Sequence, residues 1–266
     1  MSSDKPANPS APEQEHYQVD ATTGLRKVLE EEGGSAFKKY CLINVGKPGL
    51  WNLFKYELLT GLLGSLPGAA GYLLRQKLYR WLLGGMGCGV VIGRNVTIRH
   101  PHRIILGDRV VIDDQCVLDA KGDHDQSIVI GDDAIVGRNT VLSCKGGTIH
   151  LGRRANLSGN CTLISETKLQ IGNLVLIAGH CYLIAGGNHG MDRTDVPIVD
   201  QPMVEKGGIV IGDHSWLGAQ VTVLDGVHIG RDTVIAAGAV VQRTLPDYVI
   251  AGGVPAKILR ERQSDR

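Results

Sequence analysis

The six cysteines of this 266-residue chain include no C-x-x-C pair, aromatic residues make up only 5% with two Phe among them, and the formal net charge is +1. Without paired cysteines there is little to support a disulfide framework or a zinc site, and reduced thiols in a reducing compartment are expected. Near-neutrality removes the basic footprint that nucleic acid would need. With so few large rings the core must be assembled from Val, Ile and Leu, each contributing about 1.5–3 kcal/mol when buried. The opening residues MSSDKPANPS hold no basic region leading into an apolar stretch, so no signal peptide is expected and the cytoplasm is the expected compartment.

Glycine, by contrast, is abundant, with 36 residues. Seven of them punctuate a recurrence: IGRNVTI, LGDRVVI, IGDDAIV, LGRRANL, IGNLVLI, IGDHSWL and IGRDTVI, at Gly93, Gly107, Gly131, Gly152, Gly172, Gly212 and Gly230. Each copy has an aliphatic residue before the glycine, a small or aliphatic one three after it and another aliphatic five after it, which is a hexapeptide period. Units this short bury nothing alone and must stack into a solenoid. The glycines lie 14, 24, 21, 20, 40 and 18 residues apart, which suggests a coil of about 18 residues with insertions. The 40-residue gap then leaves about 22 residues over, and the polar, Pro-containing stretch 186–208 reads as an excursion from the solenoid, where chemistry tends to sit.

Cys116, Cys161 and Cys181 each fall nine residues after a repeat glycine, in phase with Val221 and Ala239, so they read as one column of small core residues. Ahead of the repeats, residues 1–22 have a disordered composition and 24–45 could hold a short helix. Leu58–Leu74 runs 17 residues without a formal charge but holds four glycines and Pro67, so a straight spanning helix is not expected. Two short helices broken near Ser65–Gly68, flanked by Trp, Tyr, Lys and Arg, suit either a hairpin lying in a membrane interface or a cap over the open end of the solenoid. GGMGCG at 84–89 leads into a hexapeptide strand rather than a helix, so it reads as a turn and not as a dinucleotide loop.

From about Cys88 to Arg260 the pattern resembles the left-handed β-helix acyltransferases of the hexapeptide-repeat family, and in particular the maltose, galactoside and colanic acid O-acetyltransferase branch. The resemblance implies a mainly β chain, a left-handed parallel β-helix with an N-terminal α-helical region, and a homotrimer. The expected organisation is a disordered 1–22, a helical and membrane-interface-suited 23–86, the β-helix domain at 87–245 with its loop at 186–208, and a C-terminal segment at 246–266. The implied reaction moves an acetyl group from acetyl-CoA to a hydroxyl of a saccharide, a lipid-linked or polysaccharide precursor, without a metal.

His189, in GGNHGMDRTDVP at the root of the long loop, stands where that branch has its general base. A free imidazole has a pKa near 6.5, which makes histidine as a residue type suited to accept a hydroxyl proton. Asp192 is a candidate for orienting the imidazole, and His124, in the smaller insertion AKGDHDQS, is a competing base or substrate contact. For the donor, the backbone amide of Ala219 in GDHSWLGA corresponds to the one that faces the thioester oxygen, Trp216 borders the acyl-donor channel, and Ala237 and Gly238 let pantetheine lie against the coils. Lys257 and Arg260 match phosphate-contacting residues, with Lys at 257 unable to make a bidentate fork. Asn160, spaced from Gly172 as an acceptor-contacting Asn is, is the acceptor candidate, although Asn also suits turns for conformational reasons. Three rivals stay open: a small soluble acceptor such as a free or nucleotide sugar or an antibiotic, a non-catalytic scaffold, and a zinc carbonic anhydrase on the same prism. The last is disfavoured, since no two of the nine histidines lie five residues apart.

Overall fold

A computed structural model of the protein describes residues 36–122, 124 and 126–262. The segment expected to be disordered, 1–22, lies outside the described residues. From Gly85 onward the chain winds as a three-sided prism of short parallel strands, a β-solenoid. Face 1 begins at Gly85–Met86 and ends at His228–Ile229, face 2 begins at Val91–Ile92 and reaches Val249–Gly252, and face 3 begins at Thr97–Arg99 and ends at Val240–Val241. Lys257–Glu261 then folds back antiparallel on Val249–Gly252. Parallel stacking therefore starts two residues before 87 and continues past 245.

The hexapeptide period follows from strands so short that a corner arrives after two to four residues, with alternate side chains pointing in. Face 2 turns Ile92, Ile112, Val136, Leu157, Ile177, Leu217 and Ile235 inward, all buried and in register from coil to coil. Cys116, Cys161 and Cys181 are buried in a single inward column, with Thr140 between the first two. Each thiol donates to a carbonyl of the following coil, at Gly137, Ala178 and Gly218, 3.2 Å in every case. Burial pushes the Cys116 thiol up to about 11.

Six of the seven repeat glycines occupy the corner between faces 1 and 2. Their φ is ordinary; what they lack space for is a Cβ, which would stand 2.5 Å from the Gly172 carbonyl carbon if placed on Gly152 and 2.5 Å from the Arg231 nitrogen if placed on Gly212. The Asp or Asn that follows many of them accepts an N–H from the preceding coil, as Asp132 does from Asp108 and Asp213 from Asn173. Gly93 belongs to the next corner, between faces 2 and 3, so the 14-residue gap is one coil less one hexad. Coil length also departs from the expected 18. Equivalent face 2 residues are 20, 24, 21 and 20 apart from Val91 to Leu176, and shorten to 18 between Trp216 and Val234 and to 16 between Val234 and Ile250. The extra residues enter at the corner between faces 3 and 1, which is consequently where the chain tolerates insertions.

The N-terminal helices cover the open end of the prism. These are α1 (Ala36–Tyr40), continued by a π-helical turn at Cys41–Val45, then α2 (Leu50–Leu63) and α3 (Gly68–Leu78). The first coil has no earlier coil to pair with, and an edge strand left bare exposes a row of backbone groups. Here Gln76 donates to the Val90 carbonyl at 3.1 Å, Arg75 Nε to Ile92 at 2.8 Å and the Tyr56 hydroxyl to Ile98 at 2.8 Å, while the Asn95 N–H reaches the Gly64 carbonyl at 2.7 Å. Of the two roles open for these helices, capping is the one the structure displays. No helix among the described residues is long and apolar enough to cross a membrane.

Candidate active site

The corner between faces 3 and 1 carries the irregular segments. The longest, 186–208, leaves face 3 after Ala185 and rejoins face 1 at Ile209. Gly186 and Gly187, at φ 118° and 74°, make the exit turn, a left-handed region that other residues enter at a cost. The Gly187 N–H is held by Glu166 Oε2 at 2.7 Å. Beyond the turn the loop forms a miniature hairpin in which His189 bridges Met203, Gly190 N–H bonds Pro202 and Val204 N–H bonds Asn188. His189 is thereby fixed in the paired part of the loop rather than at its tip. Its ring is half-buried, with Nδ1 enclosed and without a partner among the described residues. Nε2 is the ring nitrogen on the open side.

Asp225, a residue no motif singled out, holds this hairpin to the prism. The residue is buried, only 6% exposed. It accepts from the Asn188 side chain at 2.8 Å, from Lys206 N–H at 3.0 Å and from Gly208 N–H at 2.9 Å, so a single group ties down both strands of the loop. Nothing in the local sequence VLDG advertises this, because its partners lie 37, 19 and 17 positions away. At the loop tip, Gln201 is buried and donates to the carbonyls of Arg193 and Val196, and Arg193 pairs with Asp195.

The orienting role expected for Asp192 does not match this geometry. Asp192 is exposed, and no hydrogen bond joins it to His189, because the chain has already passed the last hairpin bond at Gly190 and turned outward. His124 is exposed on the smaller insertion at the same corner, its carbonyl accepting from Ser127 Oγ at 2.9 Å. Three coils separate it from the root of the long loop, about 14 Å at the usual strand spacing. The two histidines therefore do not converge on one reacting atom.

The residues expected at the acyl donor gather elsewhere. Trp216 projects from face 2, and Ala219, Ala237 and Gly238 form the corner between faces 2 and 3 in successive coils, with Gly238 N–H bonded to the Ala219 carbonyl at 2.8 Å. The Ala219 N–H has no partner among the described residues, which leaves it free to meet a carbonyl oxygen. The same holds for Gly159, Gly179 and Ala237 in its column, so position rather than hydrogen bonding would single it out. Lys257 and Arg260 are exposed on the closing strand, opposite Gly252 and Ile250. Asn160 lies at the same 2–3 corner, exposed, with φ 61° and its side chain accepting from Asn139 at 3.2 Å. It shares that left-handed conformation with Asn95, Gln115, Asn139, His180 and Gln220, which is the conformational role open to it from the start. Face 3 separates this corner from the His189 loop, roughly 20 Å for the six residues from His180 to Gly186. No group of three or more metal-ligating side chains occurs among the described residues.

Residues 208–243 match the family model for the bacterial transferase hexapeptide (six repeats). Among curated proteins, the chain is 38% identical over 117 residues to the "Probable acetyltransferase Rv3034c" of Mycobacterium tuberculosis, covering 44% of this chain and 38% of that protein. It is 35% identical over 118 residues to the galactoside O-acetyltransferase of Escherichia coli, covering 44% of this chain and 55% of the relative. With a putative lipopolysaccharide biosynthesis O-acetyl transferase of Escherichia coli, WbbJ, it shares 32% identity over 121 residues, 43% of this chain and 61% of the other. The chain thus spans about half the length of these relatives.

Proposed function

Since residues 208–243 match the family model for the bacterial transferase hexapeptide, we propose that the chain is an O-acetyltransferase carrying acetyl from acetyl-CoA to a saccharide hydroxyl, a lipid-linked or polysaccharide precursor, with His189 as general base. The observation that carries the reading is the hold on His189: a half-buried imidazole, set in the paired part of a long loop that a buried carboxylate anchors, with Nε2 on the open side. The acceptor oxygen attacks the thioester carbonyl while Nε2 takes its proton, the new C–O bond forms, the C–S bond breaks and the proton passes to the departing thiolate. Such assistance typically contributes about 10²–10⁴ in rate. The amide of Ala219 donates to the carbonyl oxygen as it gains charge, Trp216, Ala237 and Gly238 line the path of the pantetheine, and Lys257 and Arg260 meet the phosphates. No covalent enzyme intermediate forms.

Donor residues and base stand on opposite edges of face 3, so two copies side by side assemble one site, the 3–1 corner of one facing the 2–3 corner of the next. A homotrimer with three such clefts satisfies this. The relatives named as sugar and lipopolysaccharide acetyltransferases support a hydroxyl-bearing saccharide as acceptor. The test is release of free thiol from acetyl-CoA across a panel of free, nucleotide-linked and lipid-linked sugars. His189→Ala should reduce turnover by about 10²–10⁴ with oligomer mass and coenzyme A affinity unchanged. Retained turnover would remove His189 as the base, and failure of the wild-type protein to bind coenzyme A by calorimetry would favour a scaffold.

A further inference from the structure

We propose that the outward face of the N-terminal cap docks on an anionic lipid surface. Helix α2 turns Tyr56, Leu59 and Leu63 onto the prism and presents Leu50, Trp51, Phe54, Leu58 and Leu62 to solvent. Trp51, Phe54, Leu58 and Leu62 follow one another by three, four and four positions, which places them on one stripe of the helix. Leu50 is 74% exposed, Trp51 71%, Leu62 64% and, beyond α3, Trp81 66%. The Trp51 and Phe54 rings stack on each other at 5.9 Å, outside the core. A continuous apolar surface of this kind is uncommon on a protein that meets only water.

The charge around this surface identifies its occupant. Residues 36–84 hold seven basic side chains, of which Arg75 alone is buried, and one acidic, in a chain whose net charge is only +1, so the rest of the protein is net negative. The single acid, Glu57, is engaged by the Tyr40 hydroxyl. Lys47, Lys77 and Arg80 are exposed and Lys55 is half-buried. An apolar stripe with Trp on it, rimmed by cations, is the combination that settles into the headgroup layer of an anionic bilayer. A second copy fits poorly, because two like-charged faces would be set against each other. With 14 residues α2 is about 21 Å long, so it lies on the bilayer rather than through it. The cap closes one end of the prism, so docking leaves the corners that carry His189 and Trp216 clear of the lipid.

Flotation of the full chain with phosphatidylglycerol–phosphatidylcholine vesicles, against phosphatidylcholine alone, tests this. Binding is expected only to the anionic vesicles, to fall with added salt, to drop about tenfold or more in the double variant Trp51→Ser, Phe54→Ser, and to weaken about fivefold for each of Lys47→Gln and Lys77→Gln. All four side chains lie outside the packed core, and far-UV circular dichroism checks that the variants fold. The proposal is overturned if the wild-type protein floats with neither vesicle at low salt. It is equally overturned if the double variant binds as well as wild type, if that variant instead changes oligomer mass, or if binding appears only once residues 1–35 are removed, which would assign the surface to that segment. Acetyl transfer to a soluble saccharide without vesicles reads the reaction separately. It should be unchanged in the double variant, and its absence from wild type would leave the vesicle result standing.

Discussion

Replacing Asp225 by Ala should loosen the His189 loop without disturbing the acyl-donor side. Three hydrogen bonds end on this buried carboxylate, and bonds to a charged acceptor contribute about 1.5–3 kcal/mol each. Because the three share one group they do not add fully, and about 3–4 kcal/mol is a reasonable total for the anchored loop. At 1.4 kcal/mol per decade that shifts the ratio of open to held loop by about 10²–10³. Part of the shift is absorbed by the margin that favours the held loop, so kcat should fall by about 10- to 100-fold. Coenzyme A affinity should hold, since Trp216, Ala219 and Gly238 lie across face 3. Asp225→Asn keeps the Oδ1 bond to Gly208 but sets an amide against the Lys206 N–H, so it should fall between wild type and Ala. Steady-state kinetics would be read beside hydrogen exchange over 186–208. Two results would refute the reasoning: fast exchange in the loop with wild-type kcat, which separates catalysis from its anchoring, or unchanged protection, which removes Asp225 as the anchor.

Arg75→Ala removes donors from the carbonyls of Ile92, Leu63 and Leu66 and should destabilise the cap by about 3 kcal/mol or more, seen as early loss of helical signal on heating while the β signal persists. Thiol titration of the folded protein should find Cys88 reactive, as it alone of the six is exposed, with Cys116 and Cys144 unreactive near neutrality because burial pushes them to about 11 and about 12; rapid labelling of several thiols would contradict the packed column. His100 and His102 are held below the ordinary histidine range, chiefly by burial, His102 at about 4. The unfolded chain therefore takes up protons first, so stability should fall as pH drops from about 6.5 toward 4. Calorimetry of wild type against His102→Gln, which should flatten that slope, checks the assignment.

Much of the fold was legible because a solenoid repeats one local rule. Each coil states the same alternation of inward aliphatic and corner residue, so the stacking, the inward columns and the cysteine column follow from spacing alone. Spacing failed where corners differ in kind: Gly93 shares the motif of Gly107 but turns a different corner, and nothing in IGRNVTI against LGDRVVI distinguishes the two. Spacing was also silent on which edge of the prism each candidate occupies: His189 leaves the corner between faces 3 and 1, whereas Asn160, Ala219 and Gly238 turn the corner between faces 2 and 3.

The sequence by itself determined a stacked prism with an excursion at 186–208, because these depend on residues a few positions apart whose pattern repeats. Only the tertiary structure decided that Asp225 anchors the loop and that Tyr56, Arg75 and Gln76 satisfy the bare edge of the first coil. Each of those depends on groups distant in the chain meeting within about 3 Å, and a carboxylate or guanidinium carries no mark in one dimension of which backbone amide or carbonyl it will face in three.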